Sequence, residues 1–302
     1  MDLFKESESV INFTVDKDNL NLKEFLYNHD LSSRLFSKLY RSKNIFVNGK
    51  FQRKDLPLKK GDIVTIYMED EEHNIEPEDM ELDIIYEDYD LLVLNKGPNM
   101  VVHLTRSHLN NTLSNGIAKY FMEKGIKKKI RFVNRLDMDT TGVLIVAKNP
   151  FAHQQLSLQL EKNSVEKRYM AVVSGVVKKD SDYIDIPIGR DEEEGSIRKI
   201  VTENGQRAIT KYSVIERYKD ATLLDVQIFT GRTHQIRVHL NYIGHPIIGD
   251  VLYNERSQYI SRQALHSYYL KIQHPRSKEM IEFNAPLPQD MKELINHLKS
   301  NI

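Results

Sequence analysis

The chain has no cysteine in its 302 residues. That single absence removes disulfides, thiolate zinc sites, cysteine-held iron–sulfur clusters and a cysteine nucleophile together. Net charge is also missing, since 43 Lys and Arg balance 43 Asp and Glu, so a polyanionic partner has to be sought in local charge. No apolar run approaches the roughly 18 residues of a membrane-spanning helix. The opening Met1-Asp2-Leu3-Phe4-Lys5-Glu6-Ser7-Glu8-Ser9 lacks the basic and apolar regions of a secretory signal. The expectation is a cytoplasmic protein without membrane association. Internal repeats and low-complexity tracts are absent too.

What is present supports a packed core: 40% of residues are hydrophobic and 28% charged, and the length suits one large domain with a small one. Charge is segregated along the chain. Lys17 to Lys60 holds eleven Lys/Arg against four Asp/Glu, whereas Gly61 to Asp90 holds no Lys/Arg and thirteen Asp/Glu. The stretch Glu69 to Pro77 reads as a linker, with a domain boundary near residue 75. The expected division is a tail over residues 1–12, a small domain over 13–75, an acidic linker over 76–82 and a large domain over 83–302.

In the small domain, Leu20, Leu22 and Leu26 predict a short helix, and Ser32 or Ser33 caps a second that runs to about Arg41. On the second helix Leu31, Leu35 and Leu39 share one face, and Arg34, Lys38 and Arg41 share another. A strand at Ile45-Phe46-Val47, an Asn48-Gly49 turn and a strand at Ile63-Val64-Thr65-Ile66 follow. The large domain alternates β-rich runs, such as Leu91 to Leu94, Val143 to Val146, Tyr169 to Val173 and Leu223 to Ile228, with helices expected over Leu113 to Lys124, Ala152 to Lys162, Thr233 to Tyr242 and Met291 to Lys299. The order is too irregular for a doubly wound sheet, which leaves an α+β fold with a mixed, largely antiparallel sheet.

One polar segment stands directly before a strongly apolar strand: Arg131-Phe132-Val133-Asn134-Arg135-Leu136-Asp137-Met138-Asp139-Thr140-Thr141-Gly142. Rigid elements tend to deliver catalytic side chains on such loops. The residues alone equally fit a structural Arg135–Asp137 ion pair. Likewise Tyr169 on a strand can be plain core, and Arg232 and Arg237 a solvated helix face. His234 and His239 are five apart, off the i, i+4 spacing of two helical metal ligands, and neither they nor His245 has a matched carboxylate or cysteine. No metal and no cofactor is expected.

This segment resembles the Arg-Leu-Asp motif of the RluA-type pseudouridine synthases, usually written His-Arg-Leu-Asp-x-x-Thr-Ser-Gly. Three further blocks match in the same order: Lys167-Arg168-Tyr169-Met170-Ala171, Thr230 to Leu240 continuing into His245 to Asp250, and Ala264-Leu265-His266 with Pro286-Leu287-Pro288. The resemblance implies that Asp137 is the catalytic carboxylate, that Tyr169 lies against the target base and that Arg237 pairs with Asp137. It nominates Arg135, Asn134, Thr141, Arg232, His234 and Gln235 as substrate-binding. The pattern departs at Asn134, where His is usual, at Thr141, where Ser is usual, and at Asn95-Lys96-Gly97-Pro98-Asn99, where Asn-Lys-Pro and a nearby Gly are usual. Asn and Thr keep hydrogen-bonding groups, so the chemistry survives. The N-terminal run is similar to an S4 domain, a small α/β RNA-binding module, which implies backbone contacts by Arg34, Lys38, Arg41 and Lys50. Together these imply a monomeric isomerase acting on structured RNA, ribosomal RNA ahead of transfer RNA. The alternatives are an inactive RNA-binding assembly factor and a hydrolase using Asp137 and Asp139.

Overall fold

A computed structural model describes residues 4–52, 54–71, 74–105, 108–191, 198–200 and 205–300. The N-terminal module comprises β1 (Val10–Thr14), α1 (Leu22–Asn28), α2 (Ser33–Arg41), β2 (Ile45–Val47), β3 (Lys50–Phe51) and β4 (Ile63–Tyr67). Its strands form an antiparallel sheet in the order β1-β4-β2-β3. Asn48 and Gly49, both at positive φ (47° and 73°), turn β2 into β3 as the dipeptide suggests. The Ser32 hydroxyl accepts from the Leu35 N–H and starts α2. Leu31, Leu35 and Leu39 are buried with Leu22, Phe25 and Leu26 of α1, while Arg34, Lys38 and Arg41 are exposed. The tail is shorter than expected. β1 begins at Val10 and buries Val10 and Ile11, with Asn12 at its centre accepting the Thr65 hydroxyl (2.6 Å). That polar residue broke the apolar run and hid the strand.

The rest of the chain comprises β5 (Ile84–Glu87), β6 (Leu91–Lys96), α3 (Leu113–Lys124), β7 (Arg131–Phe132), β8 (Thr141–Ala147), α4 (Pro150–Glu161), β9 (Glu166–Ser174), β10 (Ser181–Asp185), β11 (Ile188–Arg190), β12 (Arg198–Ile200), β13 (Ile209–Arg217), β14 (Ala221–Ile228), α5 (Gln235–Tyr242), β15 (Leu265–Gln273), β16 (Met280–Asn284) and α6 (Gln289–Ser300). Ten strands form one sheet, running β10-β13-β14-β9-β15-β8-β6-β5, with β16 beside β15 and β7 beside β8. Within it only the β15–β8 pair is parallel among the described residues, so the sheet is mixed and largely antiparallel, as expected. One face packs against α3, α5 and α6 through residues such as Phe121, Ile236 and Leu294. The other packs α4 through Leu156. Five of the sheet's strands, β7, β10, β13, β15 and β16, are not among those expected from the sequence.

The two parts are docked. Phe151 of α4 sits within the module's core, its ring edge-on to Phe13 at 5.9 Å. Arg276 holds Asp90 with two bonds (2.9 and 3.0 Å) and reaches the Val10 and Ser7 carbonyls. The Ser32 N–H donates to Gln154 on α4 (3.0 Å). The acidic connection lies along α3, where Asn115 binds the Glu76 carbonyl (2.9 Å) and Met80 packs on Gly116.

Candidate active site

The loop between β7 and β8 carries Asp137, and three anchors fix it. Asn134 donates to the Val143 carbonyl (3.1 Å) and accepts the Ile145 N–H (2.8 Å), stapling the start of the loop to β8. The buried Lys96 ammonium donates to the carbonyls of Gly97, Met100 and Met138 (2.7, 3.0 and 2.7 Å). Burial pushes this lysine down to about 8 against the opposing charges of Asp139 and Asp137. Arg262, paired with Asp290, donates to the Asp139 carbonyl (3.1 Å). At the end of the loop Gly142 has φ 114°, and a Cβ there would lie 2.1 Å from the Ser267 carbonyl oxygen. Only glycine lets β8 approach β15 this closely.

Arg237, on α5, meets Asp137 from across the sheet. Its Nη1 donates to Asp137 Oδ2 at 3.0 Å. Its Nε and Nη2 donate to the two oxygens of Asp250, each at 2.7 Å. Asp250 is wholly buried, Arg237 is 8% exposed, and Asp137 keeps 29% of its side chain open. Burial works against the Arg237 charge, but the hydrogen bonds and charge of Asp250, with Asp137 behind them, outweigh it and raise its pKa. The guanidinium is therefore held by one carboxylate and offered to the other.

Two rings complete this side. The guanidinium carbon of Arg237 lies 5.1 Å from the centre of the Tyr253 ring. The Tyr253 hydroxyl accepts the Arg198 N–H and contacts His234 Nδ1, both at 2.9 Å. His234 Nε2 lies 3.9 Å from Asp137 Oδ2. Burial lowers the His234 pKa, with Asp137 opposing, so the ring is largely neutral at pH 7. Tyr169, on β9, is buried. Burial, with the Asp137 charge adding to it, pushes its phenol up to about 12, so it stays protonated.

A cleft of about 530 Å³ joins these groups. Asp137, Tyr169 and Arg237 line it, as do Arg135, Arg232 and His234. Arg135 is exposed and forms no ion pair with Asp137, so the structural-pair reading of the motif fails. Three side chains nominated for the substrate are hydrogen-bonded within the protein, although Asn134 and Gln235 also line the cleft. The Asn134 amide is engaged on β8. Gln235 accepts from the Thr230 hydroxyl and Arg232 N–H and donates to the Ile209 carbonyl and Thr210, which starts α5. Thr141 is buried outside the cleft, its hydroxyl on His266 Nδ1 at 2.8 Å. The three histidines diverge: His239 is buried between Thr210 and the Ile186 carbonyl, and His245 binds the Ser174 carbonyl. Arg34, Lys38, Arg41 and Lys50 lie in the N-terminal module and do not line the cleft, and Lys38 is 3.9 Å from Glu71.

Residue reading passed over Asp250 and Tyr253. The signal for Asp250 was a lone carboxylate beside Gly249 in a matched block, without any indication of which cation it would serve.

The comparisons with known proteins agree with this geometry. Residues 90–242 match the family model for RNA pseudouridylate synthase. The RNA pseudouridine synthase YlyB of Bacillus subtilis is 43% identical over 278 residues, covering 90% of this chain and 91% of that protein. The ribosomal large subunit pseudouridine synthase D of Vibrio cholerae is 35% identical over 285 residues, covering 89% and 87%. Among solved structures, human RNA pseudouridylate synthase domain containing 1 superposes with a TM-score of 0.58 at 28% identity, over 76% of this chain and 98% of that one. With a matching family model, relatives at this identity over nine-tenths of its length and the corresponding sheet, the chain belongs to the RluA-type RNA pseudouridine synthases, isomerases that form pseudouridine in RNA.

Proposed function

We propose that Asp137 is the catalytic carboxylate and that the substrate is a structured RNA, ribosomal RNA ahead of transfer RNA. The observation that carries this reading is the Asp250–Arg237–Asp137 relay: a partly open carboxylate aimed into a cleft by a guanidinium that a buried carboxylate holds still. Isomerisation breaks the N1–C1′ bond of uridine, turns the uracil and joins C5 to the same carbon. Asp137 acts at the sugar, by attack on C1′ or by removing a neighbouring proton. The departing uracil is an anion, and the cationic cleft lined by Arg135, Arg232 and Arg237 suits it.

A stacked uridine has to be flipped out first, at a cost of a few kcal/mol. Arg135, exposed at the cleft and without an ion-pair partner among the described residues, fills the vacated position by stacking and phosphate contact. Tyr169 packs against the extruded base. Arg232 and His234 contact the substrate around it. The N-terminal module is an S4-like domain whose exposed Arg34, Lys38 and Arg41 face, with Lys50, binds the RNA backbone. The enzyme acts as a monomer in the cytoplasm. The name of the Vibrio cholerae relative favours ribosomal RNA.

Tritium release from C5-labelled uridine in cellular RNA tests the assignment. The unmodified chain releases label to water from ribosomal RNA fractions, and Asp137→Asn releases none while still binding RNA. Release by Asp137→Asn at the unmodified rate, or free uracil as product, overturns it.

A further inference from the structure

Besides Asp137 and its partners, the cleft contains a cation that the chemistry above does not use. Lys167 lies two residues before Tyr169 on β9, so both side chains project from the same face of the strand, ~7 Å apart along it. It lines the cleft and is only 8% exposed. No carboxylate pairs with it among the described residues. Its sequence neighbours Glu166 and Arg168 project from the opposite face, where they bond each other and Arg168 reaches Asp225. Leu160 of α4 and Asn163, just beyond its end, also line the cleft.

A buried ammonium without a counter-ion is costly, and burial alone pushes Lys167 down to about 8, so it remains mostly cationic at pH 7. The ion-pair partners of Asp137 among the described residues are Arg237 and, when protonated, His234, so the Lys167 ammonium is not taken up by the carboxylate proposed to meet the sugar. Within one nucleotide of a uridine whose ribose meets Asp137, the group carrying a full negative charge is a phosphodiester. The uracil carbonyls are neutral and would leave the ammonium uncompensated.

We infer that Lys167 is a phosphate subsite inside the cleft, binding the phosphodiester next to the flipped uridine. This rests on the reading of the cleft as the uridine site. The missing counter-ion arrives with the RNA, so correct insertion of the strand is coupled to neutralising a charge the protein left unpaired. Lys167 thus positions the strand and takes no part in bond making.

The test uses a stem-loop from an RNA in which the unmodified chain releases C5 tritium, so failure of the uridine-site reading shows at that first step. Binding is measured in the Asp137→Asn background by fluorescence anisotropy across 50–200 mM salt, a range suited to phosphate contacts. Adding Lys167→Met is expected to weaken binding roughly ten-fold and to reduce the slope of log K against log salt by about 0.7–0.9, the signature of one lost phosphate contact. Lys167→Arg recovers most of both. Methylphosphonate substitution of each phosphate flanking the uridine gives a readout that does not depend on folding of a variant: one position weakens binding with Lys167 present and has no effect with Met there. Equal sensitivity to every methylphosphonate in both proteins overturns the inference, as does a Lys167→Met effect confined to kcat with affinity unchanged.

Discussion

Asp250→Asn separates the stability of the relay from its chemical use. The substitution keeps the volume but removes the charge that faces Arg237 through two 2.7 Å bonds, and it turns an amide N–H₂ toward a guanidinium that has only donors. Arg237 is 8% exposed, so water cannot replace the lost carboxylate. Breaking a buried pair in this way costs about 3–5 kcal/mol. At about 2–4 °C per kcal/mol for domains of this size, melting falls by roughly 6–20 °C. Arg237 then has Asp137 as its one carboxylate, and the resulting shift of the reactive oxygen reduces tritium release by about 10²-fold. A second variant, Asp250→Asn with Arg237→Met, removes the orphaned charge as well. Its melting temperature recovers most of the loss, since no unpaired ion remains buried, yet release stays at or below that of the single variant. Calorimetry and tritium release, measured on all three chains, decide the matter. Unchanged melting of the single variant, or a double variant that melts no higher than the single, refutes the reasoning.

Other outcomes follow from the same geometry. Tyr169→Phe keeps the ring and melts within a degree or two of the parent, while Tyr169→Ala loses about 3–5 kcal/mol in a denaturant melt. Since the phenol is pushed up to about 12, it is protonated below that value in the free enzyme, and the rate of tritium release shows no rise between pH 8 and 10 assignable to Tyr169. Gly142→Ala meets the Ser267 carbonyl 2.1 Å away at φ 114°, so the expected cost exceeds about 3 kcal/mol and appears as poor yield of folded protein. Replacing Arg34, Lys38 and Arg41 with Ala lowers the salt slope of RNA binding by about 2–3 units without moving the melting temperature, because all three are exposed.

Sequence reading reached the local structure and the residues of the candidate site by different routes. Helix α3 could be read to the residue because Leu113, Ile117 and Phe121 repeat at helical spacing before Gly125, which takes the left-handed conformation that ends the helix. Strand β15 could not be read in the same way. Its buried start is Leu265-His266-Ser267, and the polarity of His266 is satisfied only by Thr141 and the Ala285 carbonyl, residues far away in sequence. Asp137, Tyr169 and Arg237 were found through the motif, and the structure brings them into one cleft. Thr141 and Gln235 belong to the same motifs, but their side chains hold the scaffold. A motif records that a residue is required and does not say whether the requirement comes from the substrate or from the loop. Asp250 and Lys167 depended on burial, which one-dimensional reading does not supply.

The order of strands has a consequence for synthesis. Asp137 precedes β8, on one half of the sheet with β6 and β5, whereas Tyr169 and Arg237 belong to the other half with β9 and β14, and β15 is the strand inserted between β8 and β9. That keystone spans Leu265–Gln273, so it follows Asp137, Tyr169 and Arg237 in the chain and is made after all three. The 3.0 Å contact between carboxylate and guanidinium thus joins two halves whose shared strand is synthesised later than either partner.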